Sequence, residues 1–321
     1  METPFSSEPQ ATGRRVPAWL GPLARLAATV GLLAYALRGI DLARFGETLA
    51  RADWKWWAAG LATALFAQVV AGIRWAALAR PLGFSLSRVT FVWRFFEGAF
   101  FSLCLPSSIG GDVVKAYRIG DTNQRRLLAG CTVLADRLTG LAALGVLGGT
   151  ALIATQRHLG LPAAAAVATG LMAVAWGAFR LGVGSLDRLL ALVPPRHPAR
   201  EFIGRLLPYQ RQPALMTHAL GWSLIVQAGG AIAVALAARS LGIDQPLAVW
   251  FSVVPLVALA VVLPISINGV GVRENALTVL LRPHGVGPET AVALGLLWLG
   301  TTVVTGLVGG VLFLIDRRRG G

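Results

Sequence analysis

Three pairs of ionisable residues sit where charge is costly. Arg94 with Glu97, Asp136 with Arg137, and Arg273 with Glu274 interrupt or border long apolar runs of this 321-residue chain. On insertion scales such a group costs about 2.5–3.5 kcal/mol at the centre of a transmembrane helix, so it turns toward the bundle interior. Arg94 and Glu97 are three apart and can pair on one helical face. Asp136 and Arg137 are adjacent, point different ways and should reach different partners. Cations held in an apolar bundle and partly neutralised by carboxylates suit a phosphate group. The alternative is that the same charges form salt bridges that only hold the helices in place. Arg74, beside Trp75, reads as an interface anchor at the end of its run, and Arg25 as a snorkelling side chain.

Two matching phrases would have to position these groups. Residues 105–111 read Leu-Pro-Ser-Ser-Ile-Gly-Gly and residues 263–269 read Leu-Pro-Ile-Ser-Ile-Asn-Gly, five identities at one constant offset. Each follows an apolar run and leads into charge: Asp112, Lys115 and Arg118 after the first, Arg273 and Glu274 after the second. Pro106 and Pro264 each remove a donor and end a helix, while Gly110, Gly111, Gly269 and Gly271 allow a tight turn or close backbone approach. New helices should begin near Asp112 and Val272, their free N–H groups pointing into the membrane. Ser107, Ser108, Ser266 and Asn268 can add hydrogen bonds. Paired interruptions in two halves of a hydrophobic chain point to a binding site built from broken helices. The spacing therefore places Lys115, Arg137, Arg273, Asp136 and Glu274 around one shared cavity. Gly269-Val-Gly271-Val-Arg273 also begins like a dinucleotide fingerprint, but it lacks the third glycine and a βαβ context.

Composition fixes the setting. The chain is 55% hydrophobic and 14% charged, with a mean hydropathy of +0.65, whereas a soluble domain carries about 25% charged residues. Apolar runs cover 16–37, 56–79, 89–105, 127–155, 161–181, 214–238, 247–267 and 289–315, several near the roughly 20 residues that span a bilayer. The net charge of +14 lies mostly in loops and marks the cytoplasmic side. No basic-aromatic nucleic-acid motif accompanies it, so no nucleic-acid partner is expected. Cys104 and Cys131 make neither a disulfide framework nor a zinc pattern, and the four histidines share no ligand spacing. No cofactor is implied.

Charge bias also sets the topology. Arg80/Arg88, Lys115–Arg126, the five arginines between 182 and 213, and Arg317–Arg319 all fall inside if 89–111 and 247–271 enter and leave on one face. The expected fold is an all-α polytopic membrane protein, with about six full transmembrane helices plus two re-entrant broken-helix segments in an inverted repeat. An eight-span count also begins and ends inside, but it puts two of these basic loops outside. Residues 1–15 read as a disordered cytoplasmic tail, 16–315 as one integral membrane domain with repeat motifs near 89–118 and 247–280, and 316–321 as a basic cytoplasmic tail. Leu186, Leu189, Leu190 and Val193 suggest a short interfacial helix before Pro194-Pro195.

The motifs Pro106-Ser-Ser-Ile-Gly-Gly-Asp112-Val-Val-Lys115-Ala-Tyr-Arg118, Val133-Leu-Ala-Asp136-Arg137-Leu-Thr-Gly140 and Ile267-Asn-Gly-Val-Gly271-Val-Arg273-Glu274, in this order, resemble one family. It is the transmembrane region of lysylphosphatidylglycerol synthase/flippase proteins, and the likeness covers about 20–315. The resemblance implies translocation of a lipid between leaflets, here of a bacterial inner membrane, while the charge bias places both termini in the cytoplasm. It does not imply synthesis, because no segment is long enough for the soluble aminoacyl-transferase domain. Lys115 stands where arginine is the commoner residue, which keeps the charge and loses bidentate phosphate geometry. The expected cargo is a phospholipid or polyprenyl-phosphate lipid, and a second copy or a lipid-pathway enzyme is a candidate partner. Ser108, Gly110, Gly111, Asp112, Lys115, Arg118, Asp136, Arg137, Ser266, Asn268, Gly269, Gly271, Arg273 and Glu274 are the expected substrate-binding set. Arg137, Arg273 and Lys115 would take phosphate, and Asp136 and Glu274 would orient them or carry coupling protons. With no nucleotide site, energy would come from an ion gradient or a downhill lipid flow. The alternative is a lipid-modifying enzyme or its accessory subunit, with Asp136 or Glu274 as general base. A non-transporting scaffold is a third reading.

Overall fold

The computed structural model describes residues 20–38, 40–105, 110–154, 186–194, 198–262 and 265–319. The expected N-terminal tail, the 161–181 span, Pro106, Ser107, Ser108 and Pro264 lie outside the described residues. The elements are α1 (Leu20–Leu37), α2 (Leu42–Ala50), α3 (Trp54–Ala79), α4 (Arg88–Cys104), α5 (Gly110–Ile119), α6 (Asn123–Ala154), α7 (Leu186–Leu192), α8 (Pro198–Gln210), α9 (Pro213–Ser240), α10 (Leu247–Val262), α11 (Val272–Leu281) and α12 (Pro288–Arg319). Among the described residues, four stretches are long and apolar enough to cross a membrane: Trp54–Leu82, Asn123–Thr150, Pro213–Ser240 and Pro288–Arg318. α1 turns by 90° into α2. The short helix expected before Pro194 is α7.

Small residues let the long helices meet closely, as membrane helices must when apolar burial alone does not drive their contact. A Cβ at Gly60 of α3 would lie 2.7 Å from the Ala233 carbonyl of α9. A Cβ at Gly309 of α12 would overlap the Phe96 carbonyl of α4. Asp53 caps α3, its carboxylate accepting from the Lys55 N–H, and its own N–H donates to the Ser240 carbonyl at the end of α9. At the other end of α3, the Tyr209 hydroxyl donates to the Leu78 carbonyl at 2.7 Å.

Both phrases are breaks, and both make helical hairpins. α4 ends at Cys104 and α5 begins at Gly110. α5 runs back along α4: Gly111 abuts Gly98 and Ser102, Lys115 abuts Gly98, and Arg118 reaches Glu97. The second hairpin ends α10 at Val262 and starts α11 at Val272. Its two ends meet where the Gln245 amide donates to the His284 carbonyl at 3.1 Å. Between them Asn268, Gly269 and Gly271 take φ of 55°, 74° and 84°, the left-handed region open to glycine and tolerated by asparagine. α1 clasps this turn, with the Ile267 N–H donating to Thr29 Oγ1 and the Asn275 amide to the Leu32 carbonyl.

The hairpins start from opposite ends of the bundle. The first begins and ends beside the Leu78–Gly83 end of α3, where Arg125 donates to the Gly83 carbonyl. The second has its open end beside the Asp53 end, where Leu49, Ile243, Trp250 and Leu281 share one apolar cluster.

Candidate functional site

One cavity joins the two breaks. It measures about 900 Å³, within the range of sites that enclose a small molecule. Its walls come from Ser102 of α4; Asp112, Val113, Ala116 and Tyr117 of α5; Arg126, Gly130, Val133, Leu134 and Arg137 of α6; and Val261, Val262, Ser266, Asn268 and Gly269 at the second break. Most of this surface is apolar, and its charge is confined to Asp112, Arg126 and Arg137.

At the first tip the chemistry centres on Asp112, in the first turn of α5. One carboxylate oxygen lies 2.7 Å from Lys115 Nζ, and the other accepts from Arg137 Nε at 2.8 Å. Lys115 is buried, with its ammonium 4.4 Å from the Phe95 ring centre and 5.7 Å from that of Trp75. Two cations thus share one carboxylate, an arrangement with one positive charge in excess. Arg137 is the accessible member, its side chain 51% exposed.

The second tip has donors to spare. Ser266 is buried in the cavity wall, and its Oγ has no partner among the described residues. Arg273, 4% exposed, donates from Nη2 to the Asn268 carbonyl at 3.2 Å and lies over the Trp298 ring. Its Nε and Nη1 have no partner among the described residues. Buried donors are nearly always paired, so a guanidinium with two spare N–H groups is a candidate anion-binding group. Arg273 stands directly behind Asn268 rather than in the wall itself.

The expected set therefore divides. Asp112, Arg137, Ser266, Asn268 and Gly269 line the cavity. Ser108 lies outside the described residues. Lys115, Arg118, Asp136, Arg273 and Glu274 are not in the wall, and the cost of an unpaired buried charge explains the positions of Lys115, Arg118 and Asp136. Lys115 is screened from the cavity by Asp112. Arg118 turns to Glu97 and Asp316. Asp136 accepts from Arg74 Nε at 2.7 Å, while Arg74 Nη1 donates to Ser223 Oγ at 2.8 Å. Arg74 is accordingly a buried ion-pair partner and not an interface anchor. Glu274 caps α11, accepting the Gly271 N–H at 2.6 Å. Gly110, Gly111 and Gly271 serve close packing, against Leu105, Gly98 and the α1 backbone respectively.

Residues 23–310 match the family described as lysylphosphatidylglycerol synthase TM region. The chain belongs to this family. No curated protein and no solved structure matches it. In this member of the lysylphosphatidylglycerol synthase transmembrane-region family, three wall residues with polar or charged side chains fall outside the expected set: Ser102, Tyr117 and Arg126. Arg126 reads in sequence as one more inner-loop charge. Its signal was the spacing 126, 130, 133, 134, 137, one face of α6 that turns Arg126 and Arg137 to the same side. Among the described residues no group of three or more His, Cys, Asp or Glu side chains is placed to hold a metal ion.

Proposed function

We propose that this chain is a lipid flippase, moving an anionic or polyprenyl-phosphate-type lipid between leaflets of a bacterial inner membrane. The observation that carries the reading is a single cavity reaching both helix breaks, apolar along its walls and charged where Asp112 and Arg137 meet. Acyl or prenyl chains suit the apolar surface. The phosphate suits Arg137, with Ser266 and the spare N–H groups of Arg273 on the far side. Hairpins opening from opposite ends of the bundle support two re-entrant segments within six spans, related as an inverted repeat, with both termini cytoplasmic. The basic inner loops support that orientation. Membrane lipid is the proposed partner, with neither nucleic acid nor cofactor, and a second copy or a lipid-pathway enzyme is the proposed protein partner. We read the chain as a transporter rather than an enzyme, since the two carboxylates available as general bases are committed, Asp136 to Arg74 and Glu274 to the α11 cap.

Purified protein in phosphatidylcholine vesicles doped with head-group-labelled phosphatidylglycerol provides the test. Leaflet exchange should exceed that of protein-free vesicles and leave the lipid covalently unchanged. Arg137→Ala should slow it by at least about tenfold, the loss expected for a charge-assisted hydrogen bond. Exchange no faster than in empty vesicles, or a new lipid product, would overturn the reading.

A further inference from the structure

Arg126 and Arg137 stand at opposite ends of one cavity wall. They are eleven residues apart on α6, about 16 Å along the axis at 1.5 Å per residue. Half the hydrocarbon thickness of a bilayer is about 15 Å. Arg126 lies next to the Gly120–Asn123 turn, where its Nε donates to the Gly120 carbonyl and Nη1 to Asn123 Oδ1. That turn is grouped with the other basic loops, so Arg126 sits at head-group level when Arg137 sits near the mid-plane. The surface between them is Gly130, Val133 and Leu134, with no charge.

The local geometry of Arg126 is that of a receptor for an anion. Its guanidinium lies 3.7 Å from the centre of the exposed Tyr117 ring, a stacking that fixes one face of the plane and leaves an edge for bidentate contact. The two hydrogen bonds it makes are long, 3.3 and 3.2 Å, and use Nε and Nη1. No carboxylate is paired with it among the described residues, in contrast to Arg137, whose Nε is taken by Asp112.

Resting on the flippase reading, we infer that Arg126 and Tyr117 form a separate rim station. It captures the phosphate of an anionic phospholipid from the inner leaflet before that phosphate moves to Arg137. The unpaired cation at the rim binds first because it has no carboxylate to displace. The deep station binds second, when phosphate replaces Asp112 on Arg137. The occupant is a lipid rather than a free anion, because the rim is continuous with the apolar strip of Val113, Val133 and Leu134 that would receive a chain.

The vesicle exchange assay separates the two claims. With phosphatidylglycerol as probe, Arg126→Ala should slow exchange by about fivefold, the share of one arginine near an anionic surface, and should flatten its dependence on ionic strength. Arg126→Lys should restore the salt dependence but only part of the rate, because an ammonium keeps the charge and loses the stacked, bidentate geometry. Asn123→Ala removes a structural partner of Arg126 and should leave exchange within about twofold of wild type. If Arg126→Ala exchanges at the wild-type rate while Arg137→Ala is slow, the rim station is wrong and the flippase reading stands. If both variants match wild type, both claims fall. Equal losses in Arg126→Ala and Asn123→Ala, with lowered melting temperatures, would make Arg126 a structural residue and end the proposal. So would competition by free inorganic phosphate as effective as that by phosphatidylglycerol.

Discussion

Arg74→Ala is expected to destabilise the folded protein by about 3–5 kcal/mol, the cost of leaving one member of a buried ion pair alone. Arg74 belongs to α3, Asp136 to α6 and Ser223 to α9, and the guanidinium joins all three at 2.7 and 2.8 Å. All three side chains are buried. Removing the arginine strands Asp136 in an apolar bundle and takes a partner from Ser223. Asp136→Asn should cost less, because the amide oxygen can still accept from Arg74 Nε and only the counter-charge of the guanidinium is lost. Arg74→Ala combined with Asp136→Ala should be more stable than Arg74→Ala alone, since the stranded charge is gone. Thermal unfolding in detergent, read as a four-member mutant cycle, measures the coupling. Additive losses would mean that the contact carries no stability.

This ion pair also shows where reading the sequence stops. Arg74 beside Trp75, at the edge of an apolar run, has the signature of an interface anchor, and nothing nearby in the chain contradicts it. Its partner is 62 residues away. Contacts within one turn were legible: Arg94 and Glu97 pair at 2.6 Å as their spacing requires. The break positions were legible too, because proline and left-handed glycine constrain backbone without needing a partner. Helices restart at Gly110 and Val272, close to the expected Asp112 and Val272. Asp136 and Arg137 do reach different partners, as adjacent residues on a helix must. The membership of the cavity wall was not legible, because it depends on which charges another element has already neutralised. Lys115 looked as available as Arg137. It is withheld by Asp112 one turn earlier and by Phe95 and Trp75 from two other helices.

The two tips are consequently unlike, although the phrases that make them are alike. The first tip meets its cations with a carboxylate of its own, so an arriving phosphate competes with Asp112. The second holds Arg273 with only a carbonyl bond and an aromatic face. An anion crossing from one to the other would leave a site where it is exchanged for a carboxylate and reach one where Ser266 Oγ lies in the wall and the idle donors of Arg273 lie behind Asn268. Under the proposed flippase function, that difference would give the cargo two stations of unequal affinity.

Glu97→Ala is expected to have the other large effect, about 3–5 kcal/mol on stability, because it leaves two arginines to share the single, partly exposed carboxylate of Asp316. Glu97 is fully buried and accepts from Arg94 at 2.6 Å and from Arg118 at 3.0 and 3.2 Å. Asp316 of α12 also accepts from both arginines. The four charges balance and tie α4, α5 and α12 together at the open end of the first hairpin. Asp316→Ala should cost less than Glu97→Ala, since its side chain is 32% exposed and water can take its place. Exchange should respond differently from stability: Asp316→Ala loosens α5 against α12 without touching the cavity wall, so a lipid path through this hairpin should still operate. Thermal unfolding and vesicle exchange measured on both variants check the ordering. If Asp316→Ala unfolds as readily as Glu97→Ala, the cluster is not anchored at Glu97. The tie would then lie in the glycine-lined contact of α12 with α4, where Gly306 and Gly309 meet Leu103 and Phe96.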